Sequence, residues 1–142
     1  MNIDYRTIGN KDNEILSTLI KKVFEEFGID IPGTVYTDPT TDALYELFQA
    51  PGSVYWIAEE NNQILGGCGI FPTEGLPEGY AELVKLYLSA EYRGRGIGHT
   101  LMQKSLESAK VYSGSATGGR RKSLSRTPTN KFSQPEQGNI AL

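Results

Sequence analysis

The sequence predicts a mixed α/β domain, a largely antiparallel sheet flanked by helices, and three observations carry that prediction. Residues 54–59 and 63–71 are two strand patterns joined by Asn61-Asn62, a pair that tolerates the positive φ angles of a tight hairpin turn, so the strands run antiparallel. Between residues 12 and 27, Ile15, Leu16, Leu19, Ile20, Val23, Phe24 and Phe27 recur at helical spacing. An apolar run ending at Leu88 leads through Arg93-Gly94-Arg95-Gly96-Ile97-Gly98 into a further helical pattern.

The elements follow in order. Residues 3–8 alternate weakly through Ile3 and Tyr5 and give a first strand. The helix over 12–27 has Asn10 or Asp12 available as a cap, and Gly28 is placed to stop it. Pro32, Gly33 and Pro39 keep residues 29–39 irregular, after which Thr41 caps a short helix through Leu44, Leu47 and Phe48 to Pro51. Then comes the hairpin, in which Gly66, Gly67 and Gly69 call for a bulge or a close backbone approach. After a Pro- and Gly-rich connection, residues 80–88 form the strand that enters the glycine turn. The closing helix places Ile97, Leu101, Leu106 and Ala109 along one face.

From Ser113 the pattern stops. Ser, Gly, Thr, Arg, Asn, Gln and Pro dominate, and nothing repeats with the period of a strand or a helix. The organisation expected is a domain over residues 1–112 and a polar, basic, disordered tail over 113–142, which leaves the fold C-terminally incomplete. The tail holds Arg120, Arg121, Lys122, Arg126 and Lys131 against Glu136, so the net charge of -3 conceals a more acidic domain.

That acidic balance, with a pI near 5.2, argues against nucleic acid as a partner of the whole chain. One Cys and one His do not build a zinc site, so no metal is expected, and Cys68 in its apolar strand pattern reads as a small buried hydrophobe. No run of residues is long and apolar enough to span a membrane, and Met1-Asn2-Ile3-Asp4 begins neither a basic nor an apolar leader. A cytoplasmic protein is the expectation.

The glycine turn carries the chemistry. A strand that ends in alternating glycines and becomes a helix leaves backbone N–H groups unused, and these suit phosphate oxygens at the positive end of the helix dipole. Glycine lets those oxygens approach closely, and Arg93 and Arg95 add forked donors. Spacing narrows the ligand. Gly94, Gly96 and then His99 break the dinucleotide pattern G-x-G-x-x-G, and no Gly-Lys pair exists for a P-loop.

What fits is [Gln/Arg]-x-x-Gly-x-[Gly/Ala], filled by Arg93, Gly96 and Gly98. This resembles the acetyl-coenzyme A (acetyl-CoA) pyrophosphate loop of the GNAT N-acetyltransferase superfamily. Ala81-Glu82-Leu83-Val84 likewise resembles the Ala-Glu-Ile-Val stretch of GNAT histone acetyltransferases, with the same step from the glutamate to the loop.

The resemblance, over about residues 1–112, implies an enzyme moving an acetyl group directly from acetyl-CoA to an amine on a small molecule or peptide. It implies that Arg93, Gly94, Arg95, Gly96, Ile97 and Gly98 hold the pyrophosphate and that the backbones of Leu86, Tyr87 and Leu88 meet the pantetheine arm. Glu82 becomes the general base, its pKa raised among Ala81, Leu83 and Val84; the other reading of Glu82 is an exposed strand residue, or one pairing with Lys85 or a neighbouring strand. Ile31, Val35, Tyr36 and Tyr45 become candidate acceptor contacts, or else ordinary packing residues. The superfamily's fifth strand, fourth helix and tyrosine acid have no counterpart after Tyr112. Two further readings follow: a coenzyme-binding module without turnover, and self-association through the uncovered edge of the strand ending at Leu88.

Overall fold

The computed structural model describes residues 2–72 and 81–117, with side chains of the last helix placed as far as Ala109. Four strands form one antiparallel sheet in the order β1 (Asp4–Thr7), β2 (Val54–Glu60), β3 (Gln63–Phe71), β4 (Glu82–Leu88). Helix α1 (Asn13–Glu26) and the short α2 (Leu44–Leu47) cover one face, and α3 (Ile97–Thr117) covers the other. The connection over residues 73–80 and the tail beyond Thr117 lie outside the described residues, as does the expected start of β4 at Tyr80.

Each face of the sheet has its own core. Leu16, Leu19, Ile20, Val23 and Phe24 of α1 pack on Tyr55, Ile57, Ile64 and Tyr87. On the opposite face Ile97, Leu101 and Ala109 of α3 pack on Leu65, Cys68, Ile70, Leu83, Leu86 and Leu88. Because helices lie on both faces, β3 is apolar on both sides and reads as a continuous run, with Ile64 through Ile70 all buried. Full burial of each large side chain contributes about 1.5–3 kcal/mol, which makes these two layers the main source of stability.

The sequence reads α1 and the hairpin well. Gly28 takes φ 69° and closes α1 in a Schellman motif: its N–H donates to the Glu25 carbonyl at 3.1 Å and the Ile29 N–H to the Phe24 carbonyl at 2.9 Å. Asn61 and Asn62 take φ 51° and 65°, as a twist-matched hairpin turn requires. The expected caps do not form. Asp12 occupies the N-cap position of α1, but its carboxylate accepts from Arg6 at 2.8 and 3.0 Å and from the Gly9 N–H at 2.7 Å.

Two elements differ from expectation. The helix expected over 41–51 is instead the end of a 3₁₀ turn, Pro39–Asp42, and the single α-turn of α2, and a first 3₁₀ turn, Val35–Thr37, lies in the stretch before it. Asp38 caps the second turn through the Thr40 N–H at 2.9 Å with Pro39 in its first position, and Thr41 is buried, donating to the Val35 carbonyl at 2.7 Å. In α3 the buried row is Ile97, Leu101, Ser105 and Ala109, so Ser105 replaces Leu106. The Ser105 hydroxyl is satisfied by the Leu101 carbonyl at 3.0 Å and can therefore be buried. Helix α3 also runs to Thr117, so residues 113–117, assigned from the sequence to the tail, are helical; extending a formed helix costs little even for Ser and Thr.

The sheet carries a bulge where the site begins. Gly67 pairs with Tyr87 and Gly69 with Val84, so β4 holds one more residue than β3 in this interval, and Lys85 takes φ 55°. The bulge shifts the alternation, leaving Leu83 and Leu86 in the same α3-facing core. The glycines of β3 thus mark a bulge in the opposite strand as well as a close approach of backbone carbonyls at Gly66 and Gly69 and of the Tyr55 ring at Gly67.

Candidate active site at the edge and end of β4

Among the described residues β4 is an edge of the sheet. The side chains of Leu86, Tyr87 and Leu88 are all buried, so only the backbone of these residues can meet a ligand along that edge. Burial pushes the Tyr87 phenol well up and keeps it protonated. The Ser89 N–H donates to the Leu65 carbonyl at 2.9 Å, so Ser89 faces β3.

A 3₁₀ turn, Ala90–Tyr92, follows, and then the glycine loop. Gly94 and Gly96 take φ 77° and 82°, conformations that an L side chain resists, and neither has another atom near its missing Cβ. Among the described residues no group accepts a hydrogen bond from the N–H groups of residues 94 to 99. They form a continuous row of donors at the N-terminus of α3, where the helix dipole favours an anion. Gly98 lies inside α3 and has no positive φ, so backbone geometry does not require glycine there.

The arginines divide. Arg93 turns back onto the protein: its guanidinium donates to the Leu88 carbonyl at 3.1 and 2.9 Å, grips both oxygens of Glu26 at 2.6 and 2.8 Å, and lies over the Phe27 ring at 5.1 Å. The partner holds the Glu26 carboxyl below its usual range. Arg93 therefore fastens the loop's start to the end of α1 and is not poised as a phosphate donor. Arg95 is exposed and stacks over Tyr92 at 5.4 Å, beside the row of N–H groups.

At the other end of β4, Glu82 is 7% exposed and pairs in register with Phe71. It lines a cleft of about 200 Å³ with Asp38, Thr40, Leu47, Phe48, Val84 and Lys85. Lys85 reaches into this cleft and into an adjoining one of about 350 Å³ lined by Val35, Thr37, Asp38 and Pro39. Burial lowers the Lys85 pKa, while the charges of Asp38 and Glu82 act to raise it. Glu82 and Lys85 are thus electrostatically coupled, as one of the two readings of Glu82 holds, inside a cleft, as the other requires.

Of the candidate acceptor contacts only Val35 lines either cleft. Ile31 is 54% exposed, the Tyr36 hydroxyl donates to Glu25 at 2.8 Å, and the Tyr45 N–H is held by Asn13 at 2.8 Å. The sequence reading missed Asp38, Thr40 and Lys85. Lys85 carried a signal, a charged residue inside an apolar strand, and Asp38 carried another, an Asx-Pro step that opens a turn.

Cys68 is fully buried and its thiol is pushed up to about 12, so it is no nucleophile. Among the described residues no group of side chains is placed to hold a metal ion, and no helix is long and apolar enough to cross a membrane.

Comparison with known proteins identifies the family and the fold. The chain is 32% identical over 106 residues to the uncharacterized N-acetyltransferase YjgM of Escherichia coli K12, a match covering 74% of this chain and 64% of that protein. It is 36% identical over 61 residues to N-acetyltransferase 8 of Rattus norvegicus, covering 42% of this chain and 28% of that one. The chain therefore spans less than two thirds of the length of these curated relatives. An acetyltransferase of the GNAT family from Staphylococcus aureus Mu50 has the same fold, with a TM-score of 0.68 at 22% identity over 78% of this chain and 68% of that one. A predicted acetyltransferase of Clostridium acetobutylicum, solved with acetyl-CoA, superposes with a TM-score of 0.58 at 26% identity over 78% of this chain and 75% of that one. The model of the acetyltransferase (GNAT) family matches residues 18–131, beyond the stretch where the sequence alone carried the resemblance, and the chain belongs to that family.

Proposed function

We propose that this protein binds acetyl-CoA and transfers its acetyl group to the amine of a small molecule or peptide. The observation that carries the reading is the row of N–H groups of residues 94 to 99, which have no acceptor among the described residues, at the end of β4. A pyrophosphate supplies oxygens for such a row, with Arg95 beside it. The pantetheine arm then runs along the backbone of Leu86, Tyr87 and Leu88, where buried side chains leave main-chain groups as the only contacts. The relative solved with acetyl-CoA supports the same choice of ligand.

The thioester would lie near the bulge and the acceptor in the cleft beside Glu82. Glu82, as general base, takes a proton from the acceptor ammonium, directly or through water. The amine attacks the thioester carbon, the N–C bond forms as C–S breaks, and the second nitrogen proton goes to the departing thiolate. A backbone N–H of the β4 edge stabilises the oxyanion. Asp38 and Glu82 around the cleft suit a cationic acceptor. Since the co-substrate is a cytoplasmic metabolite, we place the reaction in the cytoplasm.

The test is calorimetric titration with acetyl-CoA followed by thiol release with a panel of amines. Binding with turnover supports the proposal; binding without turnover by any amine would leave a coenzyme-binding module; no binding would overturn the reading of the loop.

A further inference from the structure

Tyr55 links three strands. It sits in β2 opposite Gly69, is fully buried, and its ring lies across β3. A Cβ at Gly67 would come within 2.4 Å of the ring and one at Gly69 within 2.8 Å, so the glycines make the space it occupies. Phe48 packs against the ring at 4.9 Å between centroids. Beyond β3 the Tyr55 hydroxyl donates to the backbone carbonyl of Lys85 at 2.8 Å. Burial pushes the phenol well above its ordinary range, so it remains a donor at any working pH.

That carbonyl belongs to the bulge residue. Lys85 has φ 55°, and among the described residues the other non-glycine positions with positive φ are the hairpin asparagines. A bulge of this kind normally places glycine there, and a side chain is strained in the left-handed region. The conformation persists because something outside β4 holds it. The Tyr55 hydroxyl, from two strands away, is in place to do so.

We propose that Tyr55 is a positioning residue for acetyl transfer: its hydroxyl fixes the Lys85 bulge, and thereby the aim of the Leu86 amide that follows it at the site of the acetyl carbonyl. The inference rests on the acetyl-CoA reading above. It assigns the β3 glycines a role as well. They admit a tyrosine that sets the backbone of the neighbouring strand.

The test compares the parent protein with Tyr55→Phe, which keeps the ring and removes the donor. Acetyl-CoA binding is measured by calorimetry, and the thioester C=O stretch of bound carbonyl-labelled acetyl-CoA by infrared difference spectroscopy. In the parent the stretch is expected below that of the free thioester. In Tyr55→Phe it should return towards the free value while affinity stays within about threefold, because the phosphate cradle is untouched. Lys85→Gly, in which positive φ carries no strain, should retain the lowered stretch and make it insensitive to Tyr55→Phe. This pair also serves if Tyr55→Phe alone does not fold. Affinity kept with an unchanged stretch in Tyr55→Phe overturns the inference alone. A parent protein that binds no acetyl-CoA overturns the coenzyme reading and this inference with it.

Discussion

The guanidinium of Arg93 and the carboxylate of Glu26 meet in a two-pronged ion pair, at 2.6 and 2.8 Å, joining the end of α1 to the start of the glycine loop. The same guanidinium caps the Leu88 carbonyl, so one side chain fixes the exit of β4 from two directions. A forked donor holds such a geometry as lysine does not.

This arrangement makes opposite predictions for Glu26→Ala. If Arg93 acts as a tether, removing Glu26 loosens the loop and weakens acetyl-CoA binding by about threefold to tenfold, although a negative charge has been taken away from an anionic ligand. If Arg93 instead pairs with phosphate, freeing it tightens binding. We expect weakening, with a salt dependence like that of the parent in both Glu26→Ala and Arg93→Ala, measured by titration at several ionic strengths.

Gly96 and Gly98 should behave differently. Gly96 has φ 82°, so Gly96→Ala carries about 1–2 kcal/mol of backbone strain and should abolish measurable coenzyme binding by deforming the loop. Gly98 is helical, and Gly98→Ala should raise or preserve Tm while lowering affinity by crowding the phosphate. Equal and unaltered affinities in both folded variants would remove the glycine loop from the site.

For Glu82→Gln we expect acetyl-CoA affinity within about twofold of the parent and a fall in kcat of about a hundredfold or more at neutral pH with a responsive amine. Full activity in that variant would make Glu82 a structural partner of Lys85.

The Arg6–Asp12 pair gives a pH prediction. Arg6 donates to the Asp12 carboxylate, whose pKa is lowered in the folded protein, first by that bond. A lowered folded pKa contributes stability above the unfolded value, about 3.9, and loses it as pH falls through the folded value. Asp12→Asn should therefore lower Tm at pH 7 and converge with the parent as the pH falls through the lowered folded value of Asp12, followed by thermal melts across pH. A gap that stays constant to low pH would mean that packing, not charge, carries the effect.

The parts of the fold that were legible in the sequence are those written in local patterns. Helix α1 shows its stripe and its Gly28 stop, the hairpin shows Asn61-Asn62, and the loop shows its glycines and the apolar strand before it. What was hidden depends on residues far apart. Tyr55 lies 30 positions from the carbonyl it bonds, and Arg93 lies 67 from Glu26. Ser105 could displace Leu106 from the core face because its hydroxyl folds back onto Leu101, a local bond that apolar periodicity does not count. The region before α2 misled for a similar reason: Pro39 and Asp38 favour a tight turn over a longer helix.

The edge of β4 presents amides and carbonyls while Leu86, Tyr87 and Leu88 turn their side chains into the core. Alanine scanning of this stretch would therefore report lost packing, not lost recognition. Leucine-to-isoleucine drift there could leave recognition intact for as long as the core stays filled. The informative change is to the main chain itself: an ester in place of a single peptide bond, introduced by semisynthesis at 86 or 88, deletes one N–H and leaves every side chain where it was.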